Sequence, residues 1–184
     1  MILPIRAFGD PVLRKVCEDV QSDYPDLNTL IENMYETMDE SNGVGLAAPQ
    51  IGLAIRLFVI DSTHMYDKKG EGLRTEFINA SLVEEYNDAW DFEEGCLSIP
   101  HIREDVSRNG TIKLKFQDKD FKWHEKEFDG MTARVIQHEY DHIEGILFID
   151  HISALKRRLL KGKLNDISKG NVKIDYRMKF PKKR

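Results

Sequence analysis

The run Asp129-Gly130-Met131-Thr132-Ala133-Arg134-Val135-Ile136-Gln137-His138-Glu139-Tyr140-Asp141-His142-Ile143-Glu144-Gly145 organises the reading of the whole chain. Asp129-Gly130 opens a helix, and Gly145 is placed to end it, because glycine enters the left-handed closing conformation without a Cβ penalty. His138 and His142, four apart, project from one face about 40° apart in azimuth, so both imidazoles can meet one metal ion. Glu139 lies about 100° round the helix, beside such an ion rather than in line with its ligands, a position that suits a base acting on water. The plainer alternative is a helix with two surface histidines. Yet Met131 and Val135 share that face and should point into the core. Two uncharged imidazoles buried side by side need a partner, and a metal supplies one.

Outward from this helix, Thr111–Phe116 alternates apolar and polar residues as a half-exposed strand does, and Phe121–Phe128 returns as its hairpin partner. Ile55–Ile60 reads as a strand, and Thr75–Tyr86 as one or two more, rich in β-branched and aromatic residues. Asp23–Glu40 reads as a helix, with Leu27, Leu30, Ile31, Met34 and Met38 at three- and four-residue steps and acids in its first turn. A last amphipathic helix begins near Ser153 and carries Leu155, Leu159, Leu164 and Ile167. Strands ahead of a central helix, with another helix on each side, predict an α+β fold. Its antiparallel or mixed sheets pack around a central metal-binding helix, with one helix in the N-terminal half and one at the C-terminus.

Length and composition agree. A chain of 184 residues with 41% hydrophobic content suits a single domain over residues 1–184. No apolar stretch approaches the roughly 18–20 residues that span a bilayer, so no membrane partner is expected. The N-terminus lacks the signature of a secretory or transit peptide, so the protein should act in the cytoplasm, in a bacterial setting. Two cysteines make no disulfide framework; Cys17 reads as a core residue. Charge is lopsided: Lys156–Arg184 holds twelve Lys/Arg and two acids, a local +10 in a chain of net −5. About 172–184 reads as a basic, mobile tail, and removal of Lys173–Arg184 should leave the chemistry of the histidine helix intact. Ribosomal RNA is a candidate anionic partner, whereas no DNA-binding motif is present.

A catalytic metal needs three protein ligands and an open position. Glu144 is too close along the same helix to be the third, while His151 stays open on spacing alone. Cys96 is the better candidate, in Glu93-Glu94-Gly95-Cys96-Leu97-Ser98-Ile99-Pro100, where small and cyclic residues make a tight bend and a cation would deprotonate the thiol. The third feature is Gly43-Val44-Gly45-Leu46-Ala47-Ala48-Pro49-Gln50. It lacks the third glycine and the preceding strand of a dinucleotide loop. Its use is close backbone approach to a substrate, with Gln50 offering an amide.

Together, Gly43–Gln50, Glu94–Ser98 and Gln137–His142 resemble the signature segments of the peptide deformylase family, in the family's order. The similarity runs from Phe8-Gly9-Asp10-Pro11 to Leu147-Phe148-Ile149-Asp150, about the first 150 residues. The resemblance implies hydrolysis of the N-formyl group from formyl-methionine on nascent chains and N-formyl-methionyl peptides, with release of formate. It implies one divalent ion on Cys96, His138 and His142, with Fe²⁺ the first choice and Zn²⁺, Ni²⁺ or Co²⁺ the alternatives. Glu139 would move the proton, and the Leu97 N–H and the Gln50 amide would hold the oxyanion. Gly45 would bind the peptide backbone, and Val44, Val135 and the apolar part of His138 would line the methionine pocket. Two competing readings remain. One is an endopeptidase that uses His151 as third ligand. The other is a ribosome- or RNA-binding module with a closed structural metal.

Overall fold

A computed structural model describes residues 1–68 and 70–181. Its element order is β1 (Ile5–Arg6), α1 (Leu27–Glu40), β2 (Gly45–Ala47), β3 (Leu57–Asp61), β4 (Arg74–Cys96), β5 (Ile99–Gln117), β6 (Trp123–Asp129), α2 (Gly130–Ile143), α3 (Ala154–Ser168) and β7 (Met178–Lys179). Strands β2-β3-β4-β5-β6 form one antiparallel sheet in sequence order, and β1 pairs with β7 in a separate parallel pair. The expected α+β architecture, with α2 at its centre, is what the chain adopts.

β3 shows why the sheet sits between helices. All five residues of Leu57-Phe58-Val59-Ile60-Asp61 are buried. Side chains alternate across a strand, so Phe58 and Ile60 join the core that holds Ala133, Val135, Ile136 and Ile143 of α2. Leu57 and Val59 join the core formed with Leu27, Ile31, Met34 and Met38 of α1. On the α2 side Phe58 stacks on Phe77, its cross-strand partner, with ring centroids 4.9 Å apart. A third cluster links Leu164 and Ile167 of α3 to Ile99, Ile102 and Val106 of β5.

Three expectations need correction. Helix α1 starts at Leu27 rather than Asp23: Pro25 biases Tyr24 away from the helical region, and Asp26 precedes the helix in a left-handed conformation, φ 53°. The expected first-turn acids therefore stand outside it. Leu155 and Leu159 of α3 are 69% and 75% exposed, so that helix meets the core through Leu160, Leu164 and Ile167 instead. Third, most of the predicted tail is built into the fold. Ile5 and Ala7 donate backbone hydrogen bonds to the carbonyls of Arg177 and Lys179 (2.9 and 3.0 Å), and Met178 packs in the core. Of that predicted tail, Lys182–Arg184 lie outside the described residues.

The longest departure from the sequence reading is the β4–β5 ribbon, which extends well past Tyr86. Its register slips between the pairs Gly95↔Arg103 and Cys96↔Ile99. Residues 100–102 bulge out, and the chain turns back at Leu97-Ser98. That turn hangs Cys96 at the end of β4, over α2.

Candidate active site

Cys96 comes from the β4 terminus, while His138 and His142 come from one face of α2. Their donor atoms lie within 4.8 Å of one another, and Cys96 Sγ is 3.2 Å from His142 Nε2. A tetrahedral ion about 2.3 Å from sulfur and about 2.0 Å from nitrogen holds such donors roughly 3.5 Å apart, so this group fits one. His138 Nδ1 is 2.9 Å from Glu94 Oε2. Donation to that carboxylate places the ring proton on Nδ1 and turns the Nε2 lone pair to the other side. Burial works against a thiolate at Cys96, but the imidazoles of His142 and His138 outweigh it and lower its pKa to about 5. The sulfur is thus disposed to bind as an anion.

Beside the donors stands Glu139, 3% exposed. Burial, acting against the neighbouring imidazoles, raises its carboxyl to about 7, the range in which one group can both take and return a proton. Its Oε2 is buried without a hydrogen-bond partner among the described residues. Gly45 makes room for this carboxyl: a Cβ at that position would come within 2.7 Å of the Glu139 Cδ and push the side chain aside. The Gln50 amide has a fixed sense. Its Oε1 accepts from the Ala47 N–H at 2.7 Å, so Nε2 is the end that points at Ser98 Oγ (3.4 Å) and Cys96 Sγ (3.5 Å).

These groups line a cavity of about 370 Å³. Of the nine site residues expected from sequence, eight border it: Val44, Gly45, Gln50, Cys96, Leu97, Val135, His138 and Glu139. His142 is 1% exposed and reaches Cys96 from behind. His151 is not part of the group; its Nε2 lies 2.7 Å from Asp141 Oδ2. That removes the third ligand on which the endopeptidase reading depended.

A family model described as polypeptide deformylase matches residues 2–158. The chain belongs to the polypeptide deformylase family. It is 55% identical to a peptide deformylase of Cytophaga hutchinsonii, with all of both chains covered. It is 53% identical to one of Flavobacterium johnsoniae over 98% of this chain and 96% of that one. Among solved structures, a peptide deformylase from Legionella pneumophila superposes with a TM-score of 0.82 at 37% identity, covering 95% of this chain and all of the other. One from Thermotoga maritima gives 0.74 at 42% identity, over 83% and 99%. The likeness to the Cytophaga relative thus reaches past the first 150 residues and takes in the basic end.

Within this deformylase-family site, sequence reasoning missed the ionic cluster behind the histidines. Arg108 grips Glu94 through Nε (2.6 Å) and Nη2 (3.0 Å), and Arg134 Nη1 donates to the same carboxylate at 3.0 Å. Arg108 Nη1 also reaches Asp141 Oδ2 at 2.8 Å, which ties in His151. The side chains of Glu94, Arg108 and Arg134 are all 5% exposed or less. Although burial opposes its charge, the hydrogen bonds from His138 and Arg108 hold the Glu94 carboxyl far below the usual carboxylate range. Glu94 was visible only as the first residue of the Glu94–Ser98 segment, with no role attached to it. Its partners lie 14, 40 and 44 residues away, so no local pattern could announce them.

Proposed function

We propose that this chain is the metal-dependent hydrolase its family membership indicates, removing the N-formyl group from formyl-methionine at the start of newly made polypeptides and releasing formate. One observation carries the assignment of roles: Cys96 and His138 border one cavity with His142 gathered behind them, and beside them stands a buried Glu139 oxygen with no partner among the described residues. Cys96, His138 and His142 hold a divalent ion, with Fe²⁺ the first choice, although one thiolate and two imidazoles also suit Zn²⁺, Ni²⁺ or Co²⁺. The ion, when bound, supplies Lewis acidity that brings the ionisation of water towards neutral pH.

The chain's own groups do the rest. Glu139 accepts the proton of the attacking water and returns it to the leaving amine. The amide of Gln50 and the backbone N–H of Leu97 donate to the oxygen that becomes negative as the formyl carbon turns tetrahedral. Each such donor is typically worth about 2.7–4 kcal/mol in the transition state. Gly45 lets the peptide backbone approach, and Val44, Val135 and the flank of His138 take the methionine side chain. Residues 1–184 act as one catalytic domain, and the bacterial relatives support a bacterial cytoplasmic setting. Among the described residues, no helix is long and apolar enough to cross a membrane. The basic residues from Lys156 onward, beside the exposed Leu155 and Leu159, support contact with the ribosome.

The test is formate release from N-formyl-Met-Ala-Ser by protein purified and loaded without oxygen. Glu139→Gln should lower kcat by about 10²–10⁴-fold with its metal retained. Full turnover by that variant would remove the acid/base assignment, and no release by the unaltered chain would remove the reaction itself.

A further inference from the structure

The predicted tail meets the cavity at one point. Tyr176 lines it, and its hydroxyl donates to the Leu97 carbonyl at 2.7 Å. Leu97 belongs to the two-residue turn between Cys96 and Ile99, and that turn is tied from three separate parts of the chain. Ser98 O accepts from the Phe8 N–H at 2.8 Å, next to β1. Ser98 Oγ meets the Gln50 amide at 3.4 Å. Among the described residues, Tyr176 is the group that holds the preceding carbonyl, that of Leu97. The two consecutive peptide planes that carry the Leu97 and Ser98 carbonyls are thus held from opposite termini, which restrains the φ and ψ of Ser98 between them and steadies the turn.

The segment that carries Tyr176 is itself anchored. Its parallel pairing with β1 follows two residues later, at Met178. Before it, the Lys173 carbonyl lies 2.6 Å from His101 Nε2, and His101 borders the same cavity. After it, Arg177 Nη1 donates to the Ile2 carbonyl at 3.0 Å. Burial pushes the Tyr176 phenol far above its ordinary range, so the hydroxyl keeps its proton at neutral pH and remains a donor.

We propose that Tyr176 is a positioning residue for the deformylation reaction: its hydroxyl clamps the Leu97 carbonyl, fixing the turn whose N–H serves the oxyanion, and its ring forms one wall of the substrate cavity. This rests on the deformylase reading of the site. It reverses the sequence expectation that removing Lys173–Arg184 would leave the chemistry intact, because that cut would take the clamp and β7 together.

The experiment compares the metal-loaded full chain with Tyr176→Phe, which keeps the ring, and Tyr176→Ala, which loses both functions. It measures kcat and KM for N-formyl-Met-Ala-Ser, bound metal per chain, and amide hydrogen exchange across residues 96–99. A loosened oxyanion donor loses part of what deletion of one would cost, so Tyr176→Phe should lower kcat about tenfold, with KM within about twofold of the unaltered chain. Its metal content should be unchanged and exchange in the turn faster. Tyr176→Ala should raise KM as well. An undiminished kcat in Tyr176→Phe, a loss explained by missing metal, or unchanged exchange in the turn would overturn the proposal. If the unaltered chain released no formate, the reaction would fall alone, and exchange in the turn would still decide the clamp.

Discussion

Replacing Glu94 by alanine tests whether the buried ionic cluster positions His138. The carboxylate accepts two contacts from Arg108, one from Arg134 and one from His138, all at 3.0 Å or less. Removing one member of a buried ion pair costs about 3–5 kcal/mol, because the remaining charge is stranded away from water. Here the lower end applies. Arg108 keeps Asp141 at 2.8 Å, and Arg134 keeps the carbonyls of Val106 and Trp90 at 2.8 and 2.6 Å. A loss of about 3 kcal/mol lowers the melting temperature of a chain of this size by roughly 6–12 °C. His138 also loses the acceptor that sets its tautomer, and loss of such a partner weakens metal binding about 10–100-fold. Calorimetry of the metal-free forms and zinc titration against a competing chelator would measure the two effects separately, and Glu94→Gln should fall between alanine and the unaltered chain. A melting temperature within 2 °C of the unaltered chain, combined with unchanged zinc affinity, would refute the positioning argument.

Three other outcomes follow from particular contacts. Gly45→Ala places a Cβ against the Glu139 carboxyl and should cut kcat by about 10²-fold or more through displacement of that group, with bound metal unchanged; full activity would mean the backbone yields instead. Burial pushes the Cys17 thiol up to about 11, so it should resist iodoacetamide at pH 7.5 in the native protein and react after denaturation, as peptide mapping would report. Burial disfavours the Asp61 carboxylate, but the hydrogen bonds from Thr63 and Arg74 outweigh it and lower its pKa. Its contribution to stability is therefore complete above the unfolded value of about 3.9 and is lost as pH falls through the lower folded value. The melting-temperature gap between the unaltered chain and Asp61→Asn should accordingly shrink from pH 6 towards pH 3, and a constant gap would contradict this.

The parts of the site that were legible in the sequence are those encoded locally. A helix fixes the relation of His138, Glu139 and His142 by its own periodicity, and α2 begins and ends where Asp129-Gly130 and Gly145 indicate. Gly145 adopts φ 74° just past the last turn, as a helix-closing glycine should. The β4–β5 ribbon was not legible beyond Tyr86. Its outer half, with Glu84, Glu85, Asp88, Asp91 and Glu93, is mostly exposed and supported by strand pairing, so it has little need of an apolar alternation. The C-terminal strand did leave a signal. Val172, Ile174, Tyr176, Met178 and Phe180 alternate with Asn171, Lys173, Asp175, Arg177 and Lys179, and the first set is the less exposed. The local charge of +10 obscured that period of two. In α3 the misreading ran the other way: Leu155 and Leu159 keep helical spacing with Leu164 and Ile167 yet stand in the open, because the helix meets the core through Leu160, Leu164 and Ile167.

The central claim is that one sulfur and two imidazoles hold the ion. X-ray absorption at the zinc edge of the zinc-loaded protein addresses it directly. One sulfur neighbour at about 2.3 Å with nitrogen neighbours at about 2.0–2.1 Å is the expected first shell, and the sulfur contribution should vanish in Cys96→Asp. A shell without sulfur in the unaltered protein would contradict the account.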